Sequence, residues 1–257
     1  MLEINGLTVA YGERLALRNF SLSMQEGEIV ALVGESGSGK TTAIRSVLGL
    51  LPPGGAVTEG TISFEGQQLQ GLSPREWKAL RGKKLSMIFQ DSGAMLNPIR
   101  TIGSQFREYV RTHSSLSKKE AGALSQEMLE RMGLSDPESI LGAYPFQLSG
   151  GQRQRVGIAM AMVFQPKLLL ADEPTSALDV TTQAQIVRQM LELRDTYGTA
   201  ILLVTHNLAV AAYMASRILV MRNGSTVEQG DRESLLRSQE PYLSLIHISE
   251  PTRQEAI

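Results

Sequence analysis

An apolar strand, followed at once by a glycine-rich loop and a helix, limits the possible folds of this sequence more than any other segment. Residues 29–33, IVALV, form a continuous apolar run, which predicts a strand covered on both faces. The next residues, GESGSGKT at 34–41, match the spacing GxxxxGK[ST] at every fixed position, and a helix is predicted from Lys40 to about Leu50. Glycines let backbone N–H groups turn toward one point, where the helix start adds partial positive charge. The loop therefore predicts a polyphosphate site; the alternative is an ordinary glycine-rich turn.

The side chains of this loop are expected to have different roles in binding. Lys40 would neutralise oxygen atoms of the terminal phosphates, and the hydroxyl of Thr41 would ligate Mg²⁺. The residues expected to contact the phosphates are Gly34, Ser36, Gly37, Ser38, Gly39, Lys40, Thr41 and Thr42.

Two acidic residues end another predicted buried strand. Residues 168–171 are apolar and are followed by Asp172 and Glu173. Ligands of doubly wound sheets bind at the carboxyl ends of the strands. Asp172 is therefore expected to meet the Mg²⁺ through a ligated water, and Glu173 to polarise an attacking water in phosphoryl transfer. A solvated turn that opens a helix is the alternative for this pair.

A second helix start also has the character of an anion site. The sequence LSGGQ at residues 148–152 precedes a helix predicted from Gly151 to about Phe164. The hydroxyl of Ser149 and the amides of the glycines would bind an anion there. Two such helix starts in one chain are explained if one nucleotide is held between two subunits. Taken alone, this motif is more often a flexible loop.

Strand-like and helix-like segments alternate along most of the chain, which predicts a mostly parallel sheet with right-handed crossovers. The first 33 residues have β character, whereas polar helical segments dominate between about residues 91 and 148. Further predicted strands are residues 61–64, 85–89, 168–171 and 200–204, and further predicted helices are 118–132 and 182–194. A hairpin with a type I′ turn is predicted at Asn223-Gly224.

Composition excludes several classes of protein. Twenty-five Lys and Arg against 26 Asp and Glu give a net charge of −1, so no basic excess points to nucleic acid. The absence of Cys from the sequence excludes disulfide scaffolds and Cys-ligated metal sites. The longest nearly apolar run, residues 156–164, is far shorter than the ~20 residues of a membrane helix, and no secretory signal pattern opens the chain.

Together these segments resemble the nucleotide-binding subunit of an ATP-binding cassette (ABC) transporter, from residue 1 to about residue 243. The elements that carry the resemblance occur in the family's order: Tyr11, Walker A at 34–42, the Q-loop at Gln90, the signature at 148–152, Walker B at 168–173, the D-loop at 176–179 and the switch histidine His206. The resemblance implies ATP and Mg²⁺ as cofactors, with ATP hydrolysis coupled to transmembrane transport.

The resemblance also implies roles for individual residues. Tyr11 would stack on adenine, His206 would contact the γ-phosphate, and Gln90 would help to hold the Mg²⁺ and take part in catalysis. The signature residues Ser149, Gly150, Gly151 and Gln152, with Asp179 of the D-loop, would contact the nucleotide held by the opposite subunit. Taken singly, Tyr11 could be a surface aromatic at a strand end, His206 a helix cap and Gln90 a solvated strand end.

For the fold, the resemblance implies an α/β protein: a P-loop NTPase core with a mostly parallel sheet, an N-terminal antiparallel β subdomain and an inserted helical subdomain at about residues 91–150. Expected partners are membrane permease subunits, a second ATPase subunit (a homodimer or a paralogue) and, indirectly, a solute-binding protein. The subunit would be peripheral, on the cytoplasmic face of the inner membrane. The alternatives are a soluble ABC ATPase of translation or DNA repair, and a pseudo-ATPase that only binds nucleotide.

Three short segments are similar to one importer subfamily, which serves dipeptides, oligopeptides and nickel. They are QDSGAMLNP at residues 90–98, YPFQ at 144–147 and VEQG at 227–230. Phe146 stands where peptide importers frequently carry His and so favours nickel or metallophores, but peptide and metal import both stay open. Residues 244–257 depart from the family, and we expect them to be a spurious or disordered tail; a genuine terminus is the alternative.

Overall fold

The computed structural model describes residues 1–176, 178–231 and 233–234. These residues fall into two compact units. The first contains Met1–Met24, Glu28–Gln70 and the described residues from Leu203 onward, and the second contains Gln25–Gly27 and Gly71–Leu202. The predicted tail at residues 244–257 lies outside the described residues.

The described residues form ten strands and eight α-helices. The strands are β1 (Leu2–Tyr11), β2 (Arg14–Met24), β3 (Ile29–Val33), β4 (Gly55–Phe64), β5 (Gln67–Gln68), β6 (Leu85–Ile88), β7 (Leu168–Asp172), β8 (Ala200–Val204), β9 (Arg217–Arg222) and β10 (Ser225–Gly230). The helices are α1 (Lys40–Val47), α2 (Pro74–Leu80), α3 (Ile102–His113), α4 (Lys118–Arg131), α5 (Pro137–Gly142), α6 (Gly150–Met162), α7 (Val180–Tyr197) and α8 (Leu208–Met214).

An antiparallel sheet in the first unit has the strand order β2-β1-β4-β5. At the start of β1, buried apolar side chains alternate with exposed polar ones, and Leu2 pairs with Met24 and Ile4 with Leu22. Register shifts after Ile4 show that β1 is bulged, which bends and twists such a strand. The predicted β character of the N-terminal residues is confirmed.

The glycine-rich loop before α1 also lies in the first unit, where neighbouring strands support it. Strand β3 is buried along its whole length and pairs in parallel with β9, which pairs antiparallel with β10. Asn223 and Gly224 join β9 to β10 with φ of 50° and 84°, as the predicted type I′ turn requires. The N–H of Gly224 donates to the carbonyl oxygen of Ser38 at 3.0 Å, so this hairpin supports the glycine-rich loop.

The second unit combines parallel strands with most of the helices. Its strands are ordered β8-β7-β6, with Leu85 opposite Leu168 and Ile88 opposite Ala171, and the boundary between the units falls within β8. Helices α3, α4 and α5 all fall within residues 91–150, where a helical subdomain is predicted. The second unit's buried side chains include Phe106, Val110, Met128, Leu129, Ile158 and Leu170.

Several helix boundaries differ from the prediction because of their caps. Helix α1 ends at Val47 instead of about Leu50, since Gly49 has φ 61° and the N–H of Leu50 donates to the carbonyl of Arg45, a Schellman motif. Helix α7 begins two residues earlier than predicted because Asp179 caps it. Helices α2 and α8, of seven residues each, are absent from the sequence-based prediction.

Candidate active site

The glycine-rich loop packs so closely that only glycine fits at two of its positions. Gly34 has φ 149°, and a Cβ there would lie 2.2 Å from the carbonyl oxygen of Met221. Gly39 has φ 105°, and its Cβ would lie 2.6 Å from the carbonyl oxygen of Ala16. Gly39 is also the N-cap of α1, and it has no side chain that could accept hydrogen bonds from the first amides of the helix. The start of α1 is therefore suited to an anion as the partner of its amides.

Lys40 points back into the loop that it follows. Its side chain is buried, with 6% exposed, and Nζ donates to the carbonyl oxygens of Gly34 at 2.6 Å and Glu35 at 2.7 Å. A third hydrogen bond joins Nζ to Oγ of Ser38 at 3.3 Å. The loop thus fixes one positive charge beside the amides at the start of α1. This geometry fits the predicted polyphosphate site.

Tyr11 and His206 also lie in the first unit, and each has its own surroundings. The ring of Tyr11 lies against Gly55, where a Cβ would come within 2.6 Å of the ring. Stacking of Tyr11 on adenine stays a prediction. His206 is exposed and follows β8, and the preceding Thr205 donates its N–H to the carbonyl of Leu32 in β3. The alternative that His206 caps a helix is wrong, because the side chain of Asn207 caps α8.

In the second unit, the two acids end β7 as expected. Asp172 is buried, and Glu173 follows it with φ 47°, in the left-handed region that residues other than glycine rarely adopt. Nε2 of Gln90 donates to Oε2 of Glu173 at 3.2 Å. The structure thus brings Gln90 to Glu173, although the two residues are far apart in the sequence.

The signature residues form the start of α6. Ser149 is the N-cap: its Oγ accepts from the N–H of Gln152 at 3.2 Å, and the N–H of Ser149 donates to Oε1 of Gln152 at 2.9 Å. This capping box fixes both side chains. A cavity of about 620 Å³ adjoins it and is lined by Gly150, Gly151, Arg155, Asp179 and Thr182, among other residues.

Asp179 is the N-cap of α7. Its carboxylate accepts from the N–H of Thr182 at 2.9 Å and from the hydroxyl of Thr182 at 2.7 Å. These hydrogen bonds, chiefly the one from the hydroxyl, lower the pKa of the Asp179 carboxyl. A Cβ on Gly151 would lie 2.7 Å from Cγ2 of Thr182, so the starts of α6 and α7 are in close contact.

The predicted site residues divide between the two units. The first contains Tyr11, the glycine-rich loop with Ser36, Gly37, Thr41 and Thr42, and His206; the second contains Gln90, Asp172, Glu173, the signature residues and Asp179. Among the described residues, no group of three or more His, Asp or Glu could by itself hold a metal ion.

Sequence reasoning missed one buried polar residue beside the site, Gln154. Its Nε2 donates to the carbonyl oxygen of Pro174 at 2.7 Å, directly after Glu173. Gln154 shares a helix face with Ile158 and Ala161, both buried. A polar residue at an apolar position of that repeat is the signal that could have found it.

Comparison with known proteins identifies the family. The model of the family described as "ABC transporter" matches residues 17–176. The dipeptide transport ATP-binding protein DppD of Escherichia coli (strain K12) is 42% identical over 247 residues, 94% of this chain and 76% of that protein. The oligopeptide transport ATP-binding protein OppD of Bacillus subtilis (strain 168) is 41% identical over 262 residues, 100% of this chain and 73% of that protein.

Solved structures with a similar fold belong to the same family. The dimeric structure of MJ0796, a bacterial ABC transporter cassette, superposes with a TM-score of 0.80 and 30% identity over 90% of this chain and 99% of that one. A dimeric post-hydrolysis state of the same cassette, bound to ADP and Pi, gives a TM-score of 0.79 at the same identity. Within the described residues, no helix combines the length and apolar character that crossing a membrane requires. The chain therefore belongs to the ABC transporter family, as an ATP-binding subunit with the ABC ATPase fold.

Proposed function

We propose that this subunit hydrolyses ATP to energise a membrane permease that imports peptides. The observation that carries the proposal is the hydrogen bond from Gln90 to Glu173 at the end of β7, because it would hold the carboxylate in place as the base for an attacking water. The relatives at 41–42% identity are named as dipeptide and oligopeptide transport proteins, which supports peptides over nickel as the cargo.

Binding would begin at the glycine-rich loop. The amides of Ser36, Gly37, Ser38 and Gly39 and those at the start of α1, including Thr42, would surround the phosphates, and Nζ of Lys40 would neutralise their terminal oxygens. Tyr11 would stack on the adenine.

The residues proposed for Mg²⁺ fit that ion, since all three offer oxygen donors. Thr41 would bind it through its hydroxyl, Gln90 through its amide oxygen and Asp172 through a ligated water. Phosphate oxygens and water would complete the coordination, as is usual for Mg²⁺. The ion would supply positive charge that stabilises the phosphoryl group during transfer.

In the chemical step, Glu173 would accept a proton from the water that attacks the γ-phosphorus. The bond from that phosphorus to the β–γ bridging oxygen breaks, which gives ADP and inorganic phosphate. Gln90 orients the carboxylate through its hydrogen bond, and His206 would donate a hydrogen bond to the γ-phosphate.

A second subunit, either an identical copy or a paralogue, would complete the site. Oγ of Ser149 accepts from Gln152 but still has its own proton to donate to a phosphate of the partner's nucleotide. The amides of Gly150 and Gly151 at the start of α6 and the D-loop around Asp179 would face the same nucleotide. Closure of the pair would then require ATP.

The permease would dock on the inserted part of the second unit, residues 91–150, close to residues 90–98. Exposed apolar side chains there include Met95, Ile99 and Phe146, and the ring of Phe146 stacks on Tyr144 at 5.6 Å. The subunit would thereby lie on the cytoplasmic face of the membrane without entering it, and a solute-binding protein would act only through the permease. Co-purification with a permease supports this proposal; association with ribosomes or DNA would favour the soluble alternative.

The decisive experiment replaces Glu173 by Gln, which keeps the size of the side chain and removes the base. We expect Glu173→Gln to bind ATP with unchanged affinity and to lose at least about 100-fold in kcat, a typical contribution of a general base. Steady-state release of phosphate and titration with a fluorescent ATP analogue measure the two quantities. Glu192→Gln, an exposed position on α7, is the matched control. Unchanged hydrolysis by Glu173→Gln would remove Glu173 from its role.

A further inference from the structure

The backbone of Glu173 needs external support. Its φ of 47° lies in the left-handed region, and a residue other than glycine stays there only where its surroundings hold it. Part of this support is local, since the N–H and Oγ of Ser176 donate to the carbonyl oxygen of Glu173 at 3.1 and 3.0 Å. The next carbonyl, that of Pro174, is held by Gln154 from α6.

Gln154 makes this contact from a buried position. The residue is 6% exposed, and its Nε2 lies 2.7 Å from the carbonyl oxygen of Pro174. A buried amide is unfavourable unless its polar atoms are paired, and an apolar side chain would fill the same place on α6. The packing alone therefore does not account for a glutamine here, whereas the hydrogen bond to Pro174 does.

We propose that Gln154 is a positioning residue for the hydrolysis step: its hydrogen bond to Pro174 fixes the turn that presents the carboxylate of Glu173. The proposal rests on the proposed role of Glu173 as the base. Gln154 lies on the same helix as the signature residue Ser149, so the placement of Glu173 depends on the placement of α6. Gln90 holds the carboxylate end of Glu173, and Gln154 fixes the backbone beside it.

The test begins with Gln154→Met, which keeps the length of the side chain and removes its donor. We expect kcat for ATP hydrolysis to fall about fivefold or more, since one well-formed hydrogen bond is lost. The dissociation constant for ATP stays unchanged, because Gln154 is not expected to touch the nucleotide. Gln70→Met is the matched control: Gln70 also donates to a backbone carbonyl, that of Gly60, but on the antiparallel sheet.

A double-mutant cycle separates positioning from general stability. In the Glu173→Gln background, Gln154→Met should cause no further loss of the residual single-turnover rate, because no base is left to position. The same fold-loss in both backgrounds would overturn the proposal. Gln154→Asn, which keeps an amide too short to reach Pro174, should reproduce the Met phenotype and is the substitute if the Met variant does not fold.

The outcomes also separate this inference from the proposed function. An active Glu173→Gln variant would contradict the role of Glu173 itself. An inactive Glu173→Gln variant, together with a wild-type kcat for Gln154→Met, would overturn only the positioning by Gln154. A raised dissociation constant for ATP in Gln154→Met, with unchanged kcat, would likewise overturn it.

Discussion

Lys40 shows how a buried positive charge is tolerated and used. Its ammonium group is almost fully enclosed, yet two carbonyl oxygens and one hydroxyl accept its hydrogen bonds. A buried charge without such partners would be strongly unfavourable. The same enclosure keeps the charge beside the start of α1, where it would strengthen the attraction of the amides for a phosphate.

We therefore predict that Lys40→Met weakens ATP binding itself. Loss of a charge-assisted contact to phosphate should raise the dissociation constant at least about tenfold. Isothermal titration with ATP and Mg²⁺ measures the effect. Lys119→Met, an exposed position on α4, should bind ATP as the wild type does. Undiminished affinity in Lys40→Met would contradict the phosphate site.

At the scale of the element, the caps of α6 and α7 connect stability with function. Ser149 and Asp179 are both N-caps, and both are expected to face the nucleotide of a second subunit. Within the single chain, each side chain already stabilises the start of its helix. Mutations at these positions can therefore change helix stability as well as catalysis, and the two effects have to be measured separately.

For Asp179 we predict a pH-dependent contribution to the free energy of unfolding. Because the pKa of its carboxyl is lowered in the folded chain, the ionised form stabilises the protein above the unfolded-state pKa. This contribution is lost as the pH falls through the lowered pKa. Asp179→Asn keeps the cap but not the charge, so wild type should be the more stable at about pH 7, and the difference should vanish at strongly acid pH. Urea unfolding at several pH values measures it; a difference that persists in acid would contradict it.

Local sequence patterns predicted most of the helices and strands. The residues at which these elements begin and end depend on contacts that a local pattern does not reveal. Strand β3 has the predicted bounds, residues 29–33, because five consecutive apolar residues before a glycine are typical of a short buried strand. The hairpin at Asn223-Gly224 was predicted because Asn-Gly favours the two positive φ angles of a type I′ turn. Helix α8 was missed because its seven residues are too few for a clear period. The place of Gln154 on the buried face of α6 has a signal in the sequence, but its contact with Pro174, in the segment between β7 and α7, has none.

At the scale of the whole molecule, the chain carries two helix starts suited to phosphate, one at α1 in the first unit and one at α6 in the second. The cassette that it resembles at a TM-score of 0.80 is described as dimeric. If the start of α1 binds the nucleotide of its own chain, the start of α6 would contact the nucleotide that is bound by a second subunit. A single copy would then bind ATP but hydrolyse it poorly.

This arrangement predicts that Ser149→Arg prevents ATP-dependent dimerisation and spares ATP binding by the monomer. A long, charged side chain at the start of α6 would occupy the space that the partner's phosphate needs, while Lys40 and the glycine-rich loop stay intact. The experiment uses the Glu173→Gln background, in which ATP persists, and measures molar mass by light scattering with and without ATP. Ser117→Arg destroys the same kind of capping box on α4 and should still dimerise. If Ser149→Arg also forms the ATP dimer, or if wild-type hydrolysis per subunit does not depend on protein concentration, the nucleotide is not shared between subunits.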